Sequence, residues 1–231
     1  MQKPVVKAIL FDLDGTLVNT IEDIRRSLAH ALAGENLPSP SATLTKQVVG
    51  RGLSNALQGV LSSFGHQVDE NRFDQLYQAM LLYYREHYAV YSRPYEGIES
   101  LLVRLAKQNI PIGIFSNKED GLTKRIVSSL FPTYSFVWVR GLQEGFPRKP
   151  DRSGIDYFCR KVGIPSEDLL YVGDSEVDWQ TANNAHCSHI LVSWGFRPKD
   201  ELLALEGSVV VDTVGELEDA IYGIQREGFT E

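Results

Sequence analysis

The 231-residue sequence predicts an α/β protein, with a doubly wound parallel-sheet core and a small all-α unit inserted near its start. Three observations lead there: short apolar runs that recur along the chain, helical periodicity between most of them, and one long early interval with no strand pattern. Residues 5–11 are apolar except for Lys7 and β-branched at their start, as suits a strand covered on both faces. Residues 110–115, 136–139, 169–172, 190–192 and 209–211 repeat the pattern. In such a sheet, ligands bind beyond the carboxyl ends of the strands, so the polar residues that follow each run are the candidates for function.

The interval without strands spans 18–93. Ile21, Ile24, Leu28, Ala31 and Leu32 share one helical face, and residues 71–88 form a second amphipathic stretch. Gly34, the Gly50-Arg51-Gly52 sequence and Gly65 are expected helix stops or turns. The predicted division is therefore a core of residues 1–17 and 94–231 with a helical insertion over 18–93.

Composition narrows the function. A net charge of -7 disfavours nucleic acid, whose backbone requires a positive surface. A hydrophobic content of 43% is ordinary for a globular chain, and no run approaches the roughly 20 apolar residues of a membrane span. Met1-Gln2-Lys3-Pro4 lacks the apolar stretch of a secretory signal, so a cytoplasmic location is expected. Cys159 and Cys187 match no metal-ligand spacing and read as buried thiols. None of the five histidines falls in a metal-binding grouping. The aromatic stretch 83–88 reads as a helix face or an oligomer contact, consistent with a monomer or a homodimer.

The strand ends carry the chemistry. The first runs into Asp12-Leu13-Asp14-Gly15-Thr16, where alternate residues of an extended chain bring two carboxylates to one side. Such a pair repels itself unless a cation is present, and a divalent metal keeps one carboxylate ionised while its neighbour holds a proton. Asp residues alone are common in turns, but three further strand ends add to the pattern. Ser116 and Asn117 follow the second run and can donate to a phosphoryl oxygen at the start of the next helix. Lys149 supplies a point charge before Pro150. Asp174 follows the fourth run, and Asp178 lies one helical turn further on.

The order of these motifs resembles that of the haloacid dehalogenase superfamily over nearly the whole chain. That resemblance implies a Rossmann-like core, a helical cap over the site and magnesium as cofactor. It implies Asp12 as the nucleophile that forms an aspartyl-phosphate, and Asp14 as the acid and base. It assigns magnesium to Asp12, Asp174 and the Asp14 backbone carbonyl, with Asp178 acting through water or by orienting Lys149. Ser116, Asn117 and Lys149 would hold the phosphoryl group.

An Asp at position 14 points to phosphate chemistry, because dehalogenases proper have no ester oxygen to protonate. Val49-Gly50-Arg51-Gly52, Tyr95-Glu96-Gly97, Ser116-Asn117-Lys118 and Tyr171-Val172-Gly173-Asp174-Ser175 resemble the phosphoglycolate phosphatase group. The chain departs from that group's pattern at Asp151-Arg152-Ser153 and at Asn183-Asn184-Ala185-His186. The expected substrate is a small phosphorylated metabolite, with Arg51 reaching a substrate carboxylate and Lys118 flanking the entrance. A sugar-phosphate mutase would use the same residues, and a non-catalytic binding protein would have lost some of them.

Overall fold

The computed structural model describes residues 6–227, so Met1-Gln2-Lys3-Pro4 and Val5 lie outside the described residues. Strand β1 (Ala8–Phe11) is followed by a short strand β2 (Val18–Asn19) and four helices, α1 (Ile21–Ala33), α2 (Ala42–Val48), α3 (Leu53–Ser63) and α4 (Glu70–Glu86). The chain returns through β3 (Arg93–Pro94), α5 (Ile98–Lys107), β4 (Ile112–Glu119), α6 (Asp120–Leu130) and β5 (Trp138–Leu142). It ends with α7 (Ser153–Val162), β6 (Leu169–Gly173), α8 (Glu176–Ala185), β7 (Ser188–Val192), α9 (Lys199–Leu203), β8 (Val210–Val211) and α10 (Val214–Glu227).

Six parallel strands form one sheet in the order β5-β4-β1-β6-β7-β8. Strand order reverses beside β1, at the point where α/β sheets place their ligands. Alternation along β1 shows the double winding directly. Ala8 and Leu10 join a buried cluster with Ile155 and Phe158 of α7 and Ala182 and Ala185 of α8. Ile9 and Phe11 point to the opposite face, toward Leu101 of α5, Ile126 of α6 and Leu217 of α10. A strand buried on both faces has no polar edge to expose, which is why its sequence is continuously apolar.

The insertion leaves and rejoins the core through one narrow gate. Strands β2 and β3 pair antiparallel, Val18 with Pro94 and Asn19 with Arg93, so the two connections run side by side. Buried Asp23 of α1 reinforces the gate by accepting from the backbone N–H groups of Tyr91 and Ser92 and from the Ser92 hydroxyl at 2.6 Å. Among the described residues, no helix is long and apolar enough to cross a membrane.

Several element edges differ from expectation. The strand expected over 110–115 begins at Ile112 and continues to Glu119, with a register break between Phe115 and Glu119. Ser116 therefore lies within an extended segment and not at a helix start. The reason is local: Ser116 Oγ accepts from the Lys118 N–H at 3.1 Å, and Glu119 is the residue that caps α6, accepting from Leu122 N at 2.8 Å. The strand expected over 136–139 is shifted to Trp138–Leu142.

Removing the Asp23 carboxylate strands several buried or half-buried donors. Asp23→Ala should cost about 2–3 kcal/mol of stability, read as a lower denaturant midpoint, and Asp23→Asn should cost less because one acceptor oxygen survives.

Candidate active site

The sheet topology assembles the site. Because β4 and β6 flank β1, Ser116 and Asp174 emerge on either side of Asp12, whose own N–H is bonded to Val172 O at 2.8 Å. Lys149 arrives from the loop between β5 and α7. Asn117 fixes it there by accepting from Lys149 N at 2.9 Å and donating to Lys149 O at 3.1 Å. The Asn117 amide is thus spent on backbone, with a third bond to Gly50 O at 3.1 Å.

Lys149 Nζ lies 2.7 Å from both Asp12 Oδ1 and Asp178 Oδ1. Carboxylate oxygens of Asp12, Asp174 and Asp178 come within 4.8 Å of one another, and all three residues are buried. Three carboxylates against one ammonium leave an excess of two negative charges. Burial pushes Asp12 up to about 7 against the pull of Lys149, with the Asp178 and Asp14 charges adding to the rise. Asp174 is raised well above the carboxylate range, by burial first and then by Asp178 and Asp12. Burial disfavours the charged form of Lys149, but Asp12 and Asp178 outweigh it and hold the ammonium protonated.

The donor set fits a hard divalent cation. Its ligand atoms are carboxylate oxygens, and a charge of +2 balances the excess. The surrounding backbone leaves room for these carboxylates and for little else. A Cβ at Gly15, where φ is +89°, would come within 2.1 Å of Asp174 Oδ2, and one at Gly195 would lie 2.4 Å from the Asp174 Cβ. Phe196 N donates to Asp174 Oδ2 at 2.7 Å. Ser175 caps α8 and donates its hydroxyl to Asp178 Oδ2 at 2.6 Å.

Asp14 stands apart from this cluster. Its Oδ1 accepts from Thr20 Oγ1 and from Lys118 Nζ, each at 2.5 Å, so it forms a separate and neutral ion pair. Lys118 also donates to the Tyr84 hydroxyl of α4 at 2.6 Å and has a side-chain exposure of 1%. The lysine expected to flank the entrance is instead enclosed, because Asp14 and Tyr84 compensate its burial.

Asp12, Asp14, Ser116, Asn117, Lys118, Lys149 and Asp174 all border one cavity of about 30 Å³, roofed by the apolar side chains of Ile24, Val49, Leu53 and Ala56 from the insertion. Asp178 supports it from behind. Arg51 is absent from the lining: its side chain is 62% exposed and lies 3.6 Å from Glu176 Oε1. The flanking glycines turn the loop so that residue 51 faces solvent. Arg197 borders the cavity in its place. Sequence reasoning passed over Arg197, Phe196 and Gly195, and took Ser175 only as the last residue of a motif, with no role. Only Ser175 carried a local signal, a Ser three residues before an Asp at a helix start; the others act through tertiary placement.

A chain with a doubly wound core, a helical insertion after its first strand and this constellation of side chains is a hydrolase of the haloacid dehalogenase-like type, and it belongs to that family, whose model matches residues 9–192. Within the family it is a phosphatase, a phosphoric monoester hydrolase, and resembles the phosphoglycolate phosphatase group. It is 31% identical over 224 residues to an N-acetylmuramic acid 6-phosphate phosphatase of Pseudomonas aeruginosa, covering 96% of this chain and 97% of that protein. It is 30% identical over 220 residues to a phosphoglycolate phosphatase of Agrobacterium fabrum, covering 95% of this chain and 94% of the other. A crystal structure from Lactobacillus delbrueckii subsp. bulgaricus, provisionally assigned as a phosphoglycolate phosphatase, superposes with a TM-score of 0.85 at 29% identity, over 94% of this chain and 98% of that one.

The charge excess makes a signed prediction. Asp12 is held near 7 in the folded protein against 3.8 unfolded, so without metal the folded state binds more protons across that window and loses stability as pH rises through it. A divalent cation held by these carboxylates would compete with those protons. The rise in melting temperature on adding magnesium should therefore be larger at pH 8 than at pH 5. Gly195→Ala, which must displace Asp174, should weaken the binding of an added divalent cation at least about tenfold, as read by calorimetric titration with magnesium.

Proposed function

We propose that this phosphatase hydrolyses a small phosphomonoester, phosphoglycolate or a compound like it, through an aspartyl-phosphate on Asp12, with magnesium as cofactor. The observation that carries this reading is the buried contact of Asp12 with Lys149, set in a carboxylate cluster whose charge calls for a divalent cation. Asp12, Asp174 and the Asp14 backbone carbonyl would hold the metal, which supplies charge neutralisation at the transferring phosphoryl group. Asp178 orients Lys149.

The remaining steps belong to the side chains. Asp12 attacks phosphorus, and the bond from phosphorus to the ester oxygen breaks. Asp14, on the same cavity but outside the carboxylate cluster, gives the departing alcohol a proton that it must carry in place of the Lys118 pairing seen here. It then takes a proton from the water that attacks the acyl phosphate, releasing inorganic phosphate and restoring Asp12. Ser116 accepts from Lys118 N, which leaves its hydroxyl proton free to donate to a phosphoryl oxygen. Lys149 neutralises a second oxygen, while Asn117 places that lysine.

Residues 18–93 act as the cap in this reading. A cavity of about 30 Å³ holds a water or two and no phosphate ester, so the cap must lift for substrate to reach Asp12. Of the two substrate-binding residues expected from sequence, Lys118 is in place to meet the leaving group, and Arg51 would have to turn inward. The relatives' named substrates, phosphoglycolate and N-acetylmuramic acid 6-phosphate, both carry a carboxylate on the alcohol that leaves. A cytoplasmic enzyme acting as monomer or homodimer completes the proposal.

Phosphate release from those two compounds, measured with magnesium and in excess chelator, tests the reading. Turnover should require the metal, and undiminished turnover in chelator would remove the mechanism. Asp12→Asn should lower kcat at least about a thousandfold, since an amide is a poor nucleophile. Asp14→Asn should lower it about a hundred- to ten-thousandfold on alkyl phosphates, and less on an aryl phosphate whose leaving group needs no proton. A folded Asp12→Asn variant with normal turnover would sink the nucleophile assignment.

A further inference from the structure

Arg197 occupies a position that no catalytic role explains. It follows Phe196, whose N–H is bonded to Asp174, and its side chain reaches from the core toward the cap with 11% exposure. Nη1 donates to Lys46 O at 2.7 Å and Nη2 to Val49 O at 2.8 Å. Nε donates to Glu176 Oε2 at 2.8 Å. Lys46 lies in the last turn of α2 and Val49 is its C-cap, where helix carbonyls lack intrahelical partners and the dipole favours a cation. A core arginine thus caps a cap-domain helix.

The seat is built for it. Gly50, with φ of +123°, follows Val49, and a Cβ there would stand 3.1 Å from Arg197 Nη2. Glu176 opens α8, two residues after Asp174, so the carboxylate that anchors Arg197 is rigidly tied to the proposed metal site. The next carbonyl along the loop, Gly50 O, is held by Asn117, the same amide that places Lys149. Two core side chains therefore grip consecutive carbonyls of the segment that supplies Val49, Gly50, Gly52 and Leu53 to the cavity.

We propose that Arg197 is a positioning residue for the phosphatase reaction: by capping α2 it seats loop 49–52 over Asp12 and determines the shape of the leaving-group side of the cavity. The proposal rests on the phosphatase reading only for its kinetic consequence. Substrate access breaks the bonds to Lys46 O and Val49 O together, because both carbonyls ride on one helix end, and closing restores them together. The Arg197–Glu176 pair stays with the core throughout, ready to receive the helix again.

The test uses the full chain with magnesium bound. Amide hydrogen exchange of Arg197→Ala should rise across residues 46–53 and stay unchanged in α1, α4 and the central strands. Its kcat/KM on the best phosphomonoester should fall about ten- to a hundredfold, the range set by charge-assisted hydrogen bonds. Added guanidinium ion should restore part of that activity, and Arg197→Lys should retain part of it, since an ammonium cannot span both carbonyls and Glu176. A merely structural arginine would show exchange raised throughout the sheet and no rescue by guanidinium. Unchanged exchange over 46–53, a uniform rise everywhere, or kcat/KM within twofold of the parent would overturn the proposal. Exchange needs no turnover, so selective loosening of 46–53 in a chain that releases no phosphate would reject the phosphatase mechanism while leaving the helix-end contact standing.

Discussion

An uncompensated pair of negative charges at the carboxyl end of the central strand is the constraint on which the rest of the structure depends. Asp12, Asp174 and Asp178 are buried around a single ammonium, that of Lys149. Carboxylates held this way are driven toward protonation, a poor state for a nucleophile or a metal ligand. The fold spends many interactions on keeping them together. Strand β1 lies between β4 and β6, Phe196 N and Ser175 Oγ each bind one carboxylate, and glycines stand wherever a side chain would collide with Asp174. Burying three carboxylates together costs stability locally at a cluster that could seat a hard cation, a trade common at functional sites.

Asp14 shows how the same surroundings separate two carboxylates that are neighbours in sequence. Asp12 faces the charge excess, whereas Asp14 is paired with Lys118 and bonded to Thr20. The first environment gathers carboxylates that a cation could bridge, and the second leaves Asp14 on the cavity outside that cluster. Tyr84, from the cap helix α4, touches Lys118 and so brings the cap into the environment of the proposed acid. Enclosure of the cavity and the setting of its proposed proton donor are therefore linked through one tyrosine.

The insertion point follows from the same geometry. A helical unit that departs just after Asp14 and returns through a paired two-strand gate hangs directly above the strand ends. A rotation at the gate, as the proposed opening requires, would carry α2 and α3 across the cavity mouth while the sheet stays fixed. In the proposed reaction, discrimination among leaving groups would fall to the residues of the α2–α3 loop that line the cavity and to the core side chains that hold it. Related chains of similar length act, by name, on both phosphoglycolate and an amino-sugar phosphate, in keeping with this division of labour.

What the sequence by itself determined is the part of the protein written in local pattern. Continuous apolar runs announced strands buried on both faces, and the Asp12-to-Thr16 motif marked the end of the first; Asp174 and Asp178 were legible because they follow such a run at one-turn spacing. Periodicity is local, so it survives in a one-dimensional reading. Arg197, Gly195 and the enclosure of Lys118 were not legible, since each depends on a surface contributed by another element: Arg197 on Lys46 and Val49 at the end of α2, Gly195 on Asp174 beyond β6, and Lys118 on Tyr84 of α4. The outward turn of Arg51 was hidden for a related reason: two glycines permit many loop directions, and only packing of α2 against the core selects one. Burial, charge compensation and the direction of a side chain are properties of the assembled neighbourhood, and tertiary structure alone decided them.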